Sequence, residues 1–225
     1  MLNRIAAARV KGYKVHSCKI GGENAHADID RVRDLVRALP SEEKITFDVN
    51  RAWTPSVAIQ VMNSGAAGST FWFEQPCETL AQCIQVRQKT THPIMLDECL
   101  TSFDEHLTAY RAGACEGIKV KPNRLGGLTK ARQIRDFGVS VGWQMHIEDV
   151  GGTVLADTAA IHLAQSTPAD NRLASWLSHE HLVSDPAPNQ GARNKNGATR
   201  APALPGIGVD LSLEVLGEPI FVLSA

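Results

Sequence analysis

At 225 residues, 43% hydrophobic and 21% charged, with a formal net charge of -1, the chain has the composition of an ordinary soluble globular domain with one sizeable core. The near-zero charge and dispersed Lys and Arg give no basic field for nucleic acid or an anionic membrane surface, so a small molecule is the expected partner. Residues 1–11 lack the apolar core of a signal peptide and no stretch approaches the ~20 apolar residues of a membrane span, which points to the cytoplasm.

Five cysteines, Cys18, Cys77, Cys83, Cys99 and Cys115, are odd in number and show no CxxC spacing. Neither a disulfide framework nor a zinc knuckle is expected, and the thiols should be reduced and mostly buried.

In chain order, residues 2–10 read as the end of a helix stopped by Gly12, and 13–20 as a strand that carries Lys19 before Gly21-Gly22. Residues 27–39 place Ile29, Val32, Leu35, Val36 and Leu39 at helical spacing, closed by Pro40. The alternation then repeats, with strands over 45–49, 71–74, 94–96, 117–120 and 139–145 and helices over 54–64, 79–89, 103–112, 128–137 and 155–165. Units of this kind predict a parallel sheet covered by helices. The stretch 185–225, rich in Pro, Gly and Asn, reads as an extended C-terminal segment after a barrel domain over 1–184.

A closed barrel and an open doubly wound sheet both fit that order. Polar residues separate them. An open sheet gathers function at a switch point behind a Gly-rich first turn, whereas a barrel brings side chains from the ends of many strands to one mouth. Here the strands end in Lys19, Asp48, Glu74, Asp97 and Lys121, then His146 and Glu148, and no GxGxxG follows the first strand. An α/β fold of the (β/α) TIM-barrel type is therefore expected.

Asp48, Glu74 and Asp97 close three successive strands in TFDVN, FWFEQP and IMLDE. Carboxylates on neighbouring barrel strands repel strongly unless a hard divalent cation neutralises them, which suits Mg²⁺, or Mn²⁺ in its place. The alternative, helix caps or surface salt bridges, accounts well for one such acid and poorly for three in a row. Asn50 is either a partner of metal-bound oxygen or a turn residue. Lys19 and Lys121 lie on either side of the acids, where one could remove a proton and the other deliver one. A lysine acts as a base near neutrality only if burial or neighbouring cations lower its pKa from about 10.4. Lys119, in the same IKVKP segment, is expected to turn outward toward the helices.

The runs GYKVHSCKIGG, TFDVNRAW, FWFEQP, PIMLDE, IKVKPNRLGGLTKA, MHIEDVGGT and PALPGIGV, in this order, resemble the enolase superfamily, in its mandelate racemase and muconate lactonizing enzyme branch. The resemblance implies a modified (β/α) barrel, Mg²⁺ held by Asp48, Glu74 and Asp97, and removal of the proton α to a substrate carboxylate to give a metal-stabilised enolate. It maps the family's two lysine acid/base groups onto Lys19 and Lys121. Glu98, His146, Glu148 and Asp149 fall where such enzymes orient bases or contact substrate, although His146 is equally a candidate packing residue.

Ser17 stands where the family has a further lysine. By the same resemblance the chain begins inside the helix that precedes the family's second strand, so strands two to eight of the barrel are expected without the first strand and the capping domain. The wording is most similar to members acting on proline-type imino acids, which implies a cis-3-hydroxyproline dehydratase or a related epimerase. A sugar-acid dehydratase, or a non-catalytic metal-binding remnant, are the competing expectations, and a homo-oligomer is compatible with all of them.

Overall fold

The computed structural model describes residues 1–22, 24–64 and 71–222. After helix α1 (Leu2–Val10), six strand–helix units follow: β1 (Val15–Lys19) with α2 (Ala25–Ala38), β2 (Lys44–Asp48) with α3 (Pro55–Ser64), β3 (Phe71–Glu74) with α4 (Leu80–Arg87), β4 (Ile94–Leu96) with α5 (Phe103–Arg111), β5 (Gly117–Val120) with α6 (Leu128–Ser140), and β6 (Gln144–Ile147) with α7 (Val154–Gln165). Among the described residues a seventh strand, β7 (Arg172–Ala174), two single-turn 3-10 helices (Ala169–Asn171 and His179–His181) and a short helix, α8 (Leu213–Leu216), complete the elements.

All seven strands pair in parallel in strict sequence order, β1 to β7. Each crossover returns the chain to the next position in the same direction, which curls the sheet and lays the helices along its outer side. Among the described residues β1 and β7 pair with one neighbour each, so the barrel is incomplete, as expected for seven of eight strands.

Strand alternation gives the sheet two chemically different faces. Phe47, Phe71, Phe73, Ile94, Leu96, Ile118, Val120, Met145 and Ile147 belong to the hydrophobic core shared with the helices. Phe47, Phe71 and Phe73 are fully buried, and their ring centroids lie 5.5–6.0 Å apart in tilted and edge-on contacts. The alternate residues point to the concave side and are largely polar: Lys19, Asp48, Glu74, Asp97, Lys119, Lys121, His146 and Glu148. A Cβ on Gly117 would meet Trp72 Cζ3 at 3.1 Å and Met95 Cε at 3.2 Å, which marks where the concave side is crowded.

Capping explains the helix starts. Thr79 with Gln82, and Ser102 with Glu105, form reciprocal capping boxes at α4 and α5. Two expectations are corrected. The run 139–145 was expected as a strand, but α6 continues to Ser140 because Val139 and Val141 pack on the core, and β6 starts only after Gly142 at φ +77°. Lys119 was expected to face the helices, but it stands two residues from Lys121, so both share the concave face.

The C-terminal segment runs along α7 and past α1. Ala192 N–H donates to Thr158 Oγ1 (2.9 Å), Ala201 N–H to Gln165 Oε1 (3.1 Å), and His162 Nε2 lies 3.0 Å from Ile207 O. Its last residues, 223–225, lie outside the described residues. All five cysteines are free; Cys99 is partly exposed and the other four are buried. No helix among the described residues is long and apolar enough to cross a membrane.

Candidate active site at the mouth of the barrel

The parallel register sets Lys19 beside Asp48 and Asp48 beside Glu74. Asp97 follows the end of β4 by one residue, and Lys121 does the same at β5. A row of acids with a lysine at each end is therefore a direct product of strand order.

Each acid is matched by a cation. Lys19 Nζ donates to Asp48 Oδ2 (2.5 Å) and to Asn50 Oδ1 (2.6 Å). Lys119 Nζ lies 3.2 Å from Glu74 Oε2 and 3.0 Å from Glu148 Oε1. Lys121 Nζ donates to Asp97 Oδ2 (2.8 Å) and lies 3.5 Å from Glu148, while Arg124 bonds to the other oxygen of Asp97. With each carboxylate drawn to its own cation, no three Asp, Glu, His or Cys side chains among the described residues converge as a preformed cation cage.

The donor set nevertheless fits a hard divalent ion. Asp48, Glu74 and Asp97 are all at most 5% exposed. Burial pushes the Glu74 carboxyl up to about 8; Lys119 opposes this, while Asp48, Glu148 and Asp97 add to it. A carboxyl this reluctant to ionise gains most from a dication. Glu74 Oε2 is buried and, although near Lys119, has no hydrogen bond. Glu98 Oε2, His146 Nε2 and Asp149 Oδ2 are likewise buried without a partner.

Asn50 is both a turn residue and part of the site. It sits at φ +46°, its N–H donates to Asp48 Oδ1 (3.0 Å) and its Nδ2 to Glu98 Oε1 (3.0 Å). Asp28, fully buried in α2, accepts from the backbone of Gly21 (3.2 Å) and Gly22 (3.0 Å) and from Trp53 Nε1 (3.1 Å), which ties the loop after Lys19 to the loop after Asp48.

Burial resists charge on Lys119, but Glu148, Glu74 and Asp97 outweigh it and hold the ammonium above its ordinary pKa. Burial would raise Glu148; Lys119 and Lys121 override it and hold the carboxylate low. Burial, reinforced by Lys119, keeps His146 neutral, its pKa well below the usual histidine range. Lys119 and Arg124 join the site without having been expected there; the sequence signal for each was its spacing, two before and three after Lys121.

The chain matches the family described as "Enolase C-terminal domain-like" over residues 1–215. It is 32% identical over 222 residues to a cis-3-hydroxy-L-proline dehydratase of Roseibium aggregatum, covering 98% of this chain and 59% of that protein. It is 27% identical over 208 residues to muconate cycloisomerase 1 of Rhodococcus opacus, covering 88% and 53%. A solved enolase-superfamily structure from Roseovarius nubinhibens, complexed with magnesium, superposes with a TM-score of 0.94 at 60% identity, covering 98% of this chain and 59% of that one. The chain thus spans about three fifths of the length of its relative from Roseibium aggregatum. With the fold, the strand-end acids and these matches in agreement, the chain belongs to the enolase C-terminal domain-like family, among the mandelate racemase and muconate lactonizing enzymes of the enolase superfamily.

Proposed function

We propose that the chain carries the catalytic half of an enzyme that removes the proton α to a carboxylate of a small imino or amino acid, such as cis-3-hydroxyproline, leading to dehydration or epimerisation. The observation that carries this reading is the row Lys19, Asp48, Glu74, Asp97, Lys121 at successive strand ends, with lysines only at its two extremes. The dehydratase similarity supports the substrate class.

Asp48, Glu74 and Asp97 would hold Mg²⁺, and Mn²⁺ in its place. A bound ion there neutralises the acids and offsets negative charge that grows on the substrate's carboxylate as the α-proton leaves. The chain's own groups do the proton work. In its neutral form, Lys19 or Lys121 takes the α-proton at Nζ; the other, as an ammonium, returns a proton to the opposite face or to a departing hydroxyl, which leaves as water. Asn50 fixes the approach of Lys19 through its 2.6 Å contact. Glu148, bonded to Lys119 and close to Lys121, orients the second lysine. Glu98, Asp149 and His146, on or just after β4 and β6, each keep a buried polar atom without a partner that a substrate could engage.

The test is α-proton exchange. The chain is incubated with Mg²⁺ and stereoisomers of proline, hydroxyproline and their betaines in D₂O, and the α-proton signal is followed by NMR. The expected result is loss of signal for one substrate series that requires the metal and is abolished by Lys19→Ala or Lys121→Ala. Exchange that persists in both lysine variants would overturn the reading.

A further inference from the structure

We propose that Gln75 is a positioning residue for the divalent-cation centre, its side-chain amide setting the spacing between Glu74 and Asp97. This rests on the reading that those acids and Asp48 hold the cation. Gln75 directly follows Glu74, is fully buried, and adopts φ +40°, a region that residues other than glycine rarely enter.

The β3–β4 ladder has only two registered pairs, Phe73 with Ile94 and Glu74 with Met95. One backbone bond extends it, from Gln75 N–H to Met95 O (2.9 Å), and then β4 ends. The next donor is the N–H of Asp97. It is received by the side chain of Gln75, whose Oε1 accepts from Asp97 N (2.9 Å) and from Cys99 N (3.3 Å). Gln75 Nε2 donates to Cys77 O (2.9 Å), which fixes the amide's direction. On its other side, Gln75 O accepts from Arg51 N (2.9 Å), in the loop after Asp48.

One residue thus joins the loops that follow β2, β3 and β4, and each of its polar groups is used in doing so. Three carboxylates from separate strands serve one small octahedral ion only if their backbones are held to a fraction of an ångström. Partners behind metal ligands typically tune affinity by 10–100-fold. Gln75 fills that role through the backbone of a ligand rather than through its carboxylate.

The experiment measures Mn²⁺ affinity of the chain by isothermal titration calorimetry, with circular dichroism to confirm folding. Gln75→Met keeps the length and removes the amide; Gln75→Asn keeps an amide one methylene short of Asp97 N. Thr79→Ala, which loses the cap of α4 in the same loop and touches neither acid, controls for general destabilisation. The expected result is a 10–100-fold weaker Kd in both Gln75 variants and a Kd within about twofold of wild type in Thr79→Ala. Wild-type binding with unchanged affinity in a folded Gln75 variant overturns the proposal. So does failure of both variants to fold, since the residue then holds the chain together rather than tuning the centre. Absence of Mn²⁺ binding by the wild-type chain sinks the cation reading itself, and this proposal with it.

Discussion

Replacing Lys119 with methionine keeps the stem's volume in the concave side and deletes the ammonium that lies 3.0 Å from Glu148 and 3.2 Å from Glu74. The lysine and Glu74 side chains are at most 4% exposed and that of Glu148 is 9%, so solvent screens little of the loss. Breaking a buried ion pair costs about 3–5 kcal/mol when the remaining charge stays uncompensated. Two features reduce that here. Glu74, pushed up to about 8 even beside Lys119, is already largely protonated at pH 7, and Glu148 keeps Lys121 nearby. The expected cost at pH 7 is therefore about 2–3 kcal/mol. Its pH dependence has a definite sign. Without Lys119, the Glu74 carboxyl, already raised, moves further up, and Glu148 loses the larger of the two lysine charges that hold it low, so both are harder to ionise in the folded chain. The penalty is smallest in acid, where both carboxyls carry protons with or without Lys119, and grows as pH rises and ionisation is forced on them. Urea unfolding of Lys119→Met and wild type, followed by tryptophan fluorescence at pH 5.5 and pH 8, measures this directly. A variant as stable as wild type at pH 8, or a penalty larger at pH 5.5 than at pH 8, would refute the reasoning.

The Glu74 carboxyl of the wild type gives a second pH effect of the same sign: its raised pKa contributes stability present below about 4.5 and lost as pH rises through about 8. With a chelator present, the urea midpoint should fall between pH 6 and pH 9, and Mg²⁺ should restore it most at the higher pH. Phe73→Ala empties a fully buried ring site packed against Phe47, Phe71 and Trp53, and should cost about 3–5 kcal/mol in the same assay. Asp28→Ala strands the donors of Gly21, Gly22 and Trp53, for an expected loss of about 2–4 kcal/mol, with a shift in tryptophan emission from the freed Trp53 indole.

Much of this architecture was legible because parallel strands covered by helices leave short apolar runs between amphipathic ones. The runs FDVN, FWFE and IMLDE each place an acid at the strand's last residue or one beyond it, so the row at the mouth could be read from the sequence. Three features were not legible, each for a physical reason. Strand β7 is three residues, Arg172–Ala174, with no β-branched side chain to mark it, and its pairing with β6 supplies the definition that its sequence lacks. The end of α6 was hidden because Val139 and Val141 favour strands locally while their burial against the core favours continuing the helix. Lys119 was misread for a simpler reason. Side chains two apart on a strand share a face, so Lys119 belongs with Lys121 inside the barrel, where it pairs with the acids.

The role of Gln75 lay beyond sequence reasoning altogether. Its neighbour Pro76 signals a turn, but the amide taking over where the β3–β4 ladder stops is a feature of the folded chain alone. The ion pairs from Lys19, Lys119, Lys121 and Arg124 to the acids are also tertiary facts, fixed by which strands the sheet sets side by side.

The central claim, that Asp48, Glu74 and Asp97 together hold one divalent cation, is tested most directly by crystals of the chain grown with Mn²⁺ and measured at the manganese absorption edge. The account predicts a single strong anomalous peak bounded by the carboxylates of these three residues, and its loss in Glu74→Gln. A peak bound elsewhere, or a fully ordered mouth with no peak at saturating Mn²⁺, would contradict it.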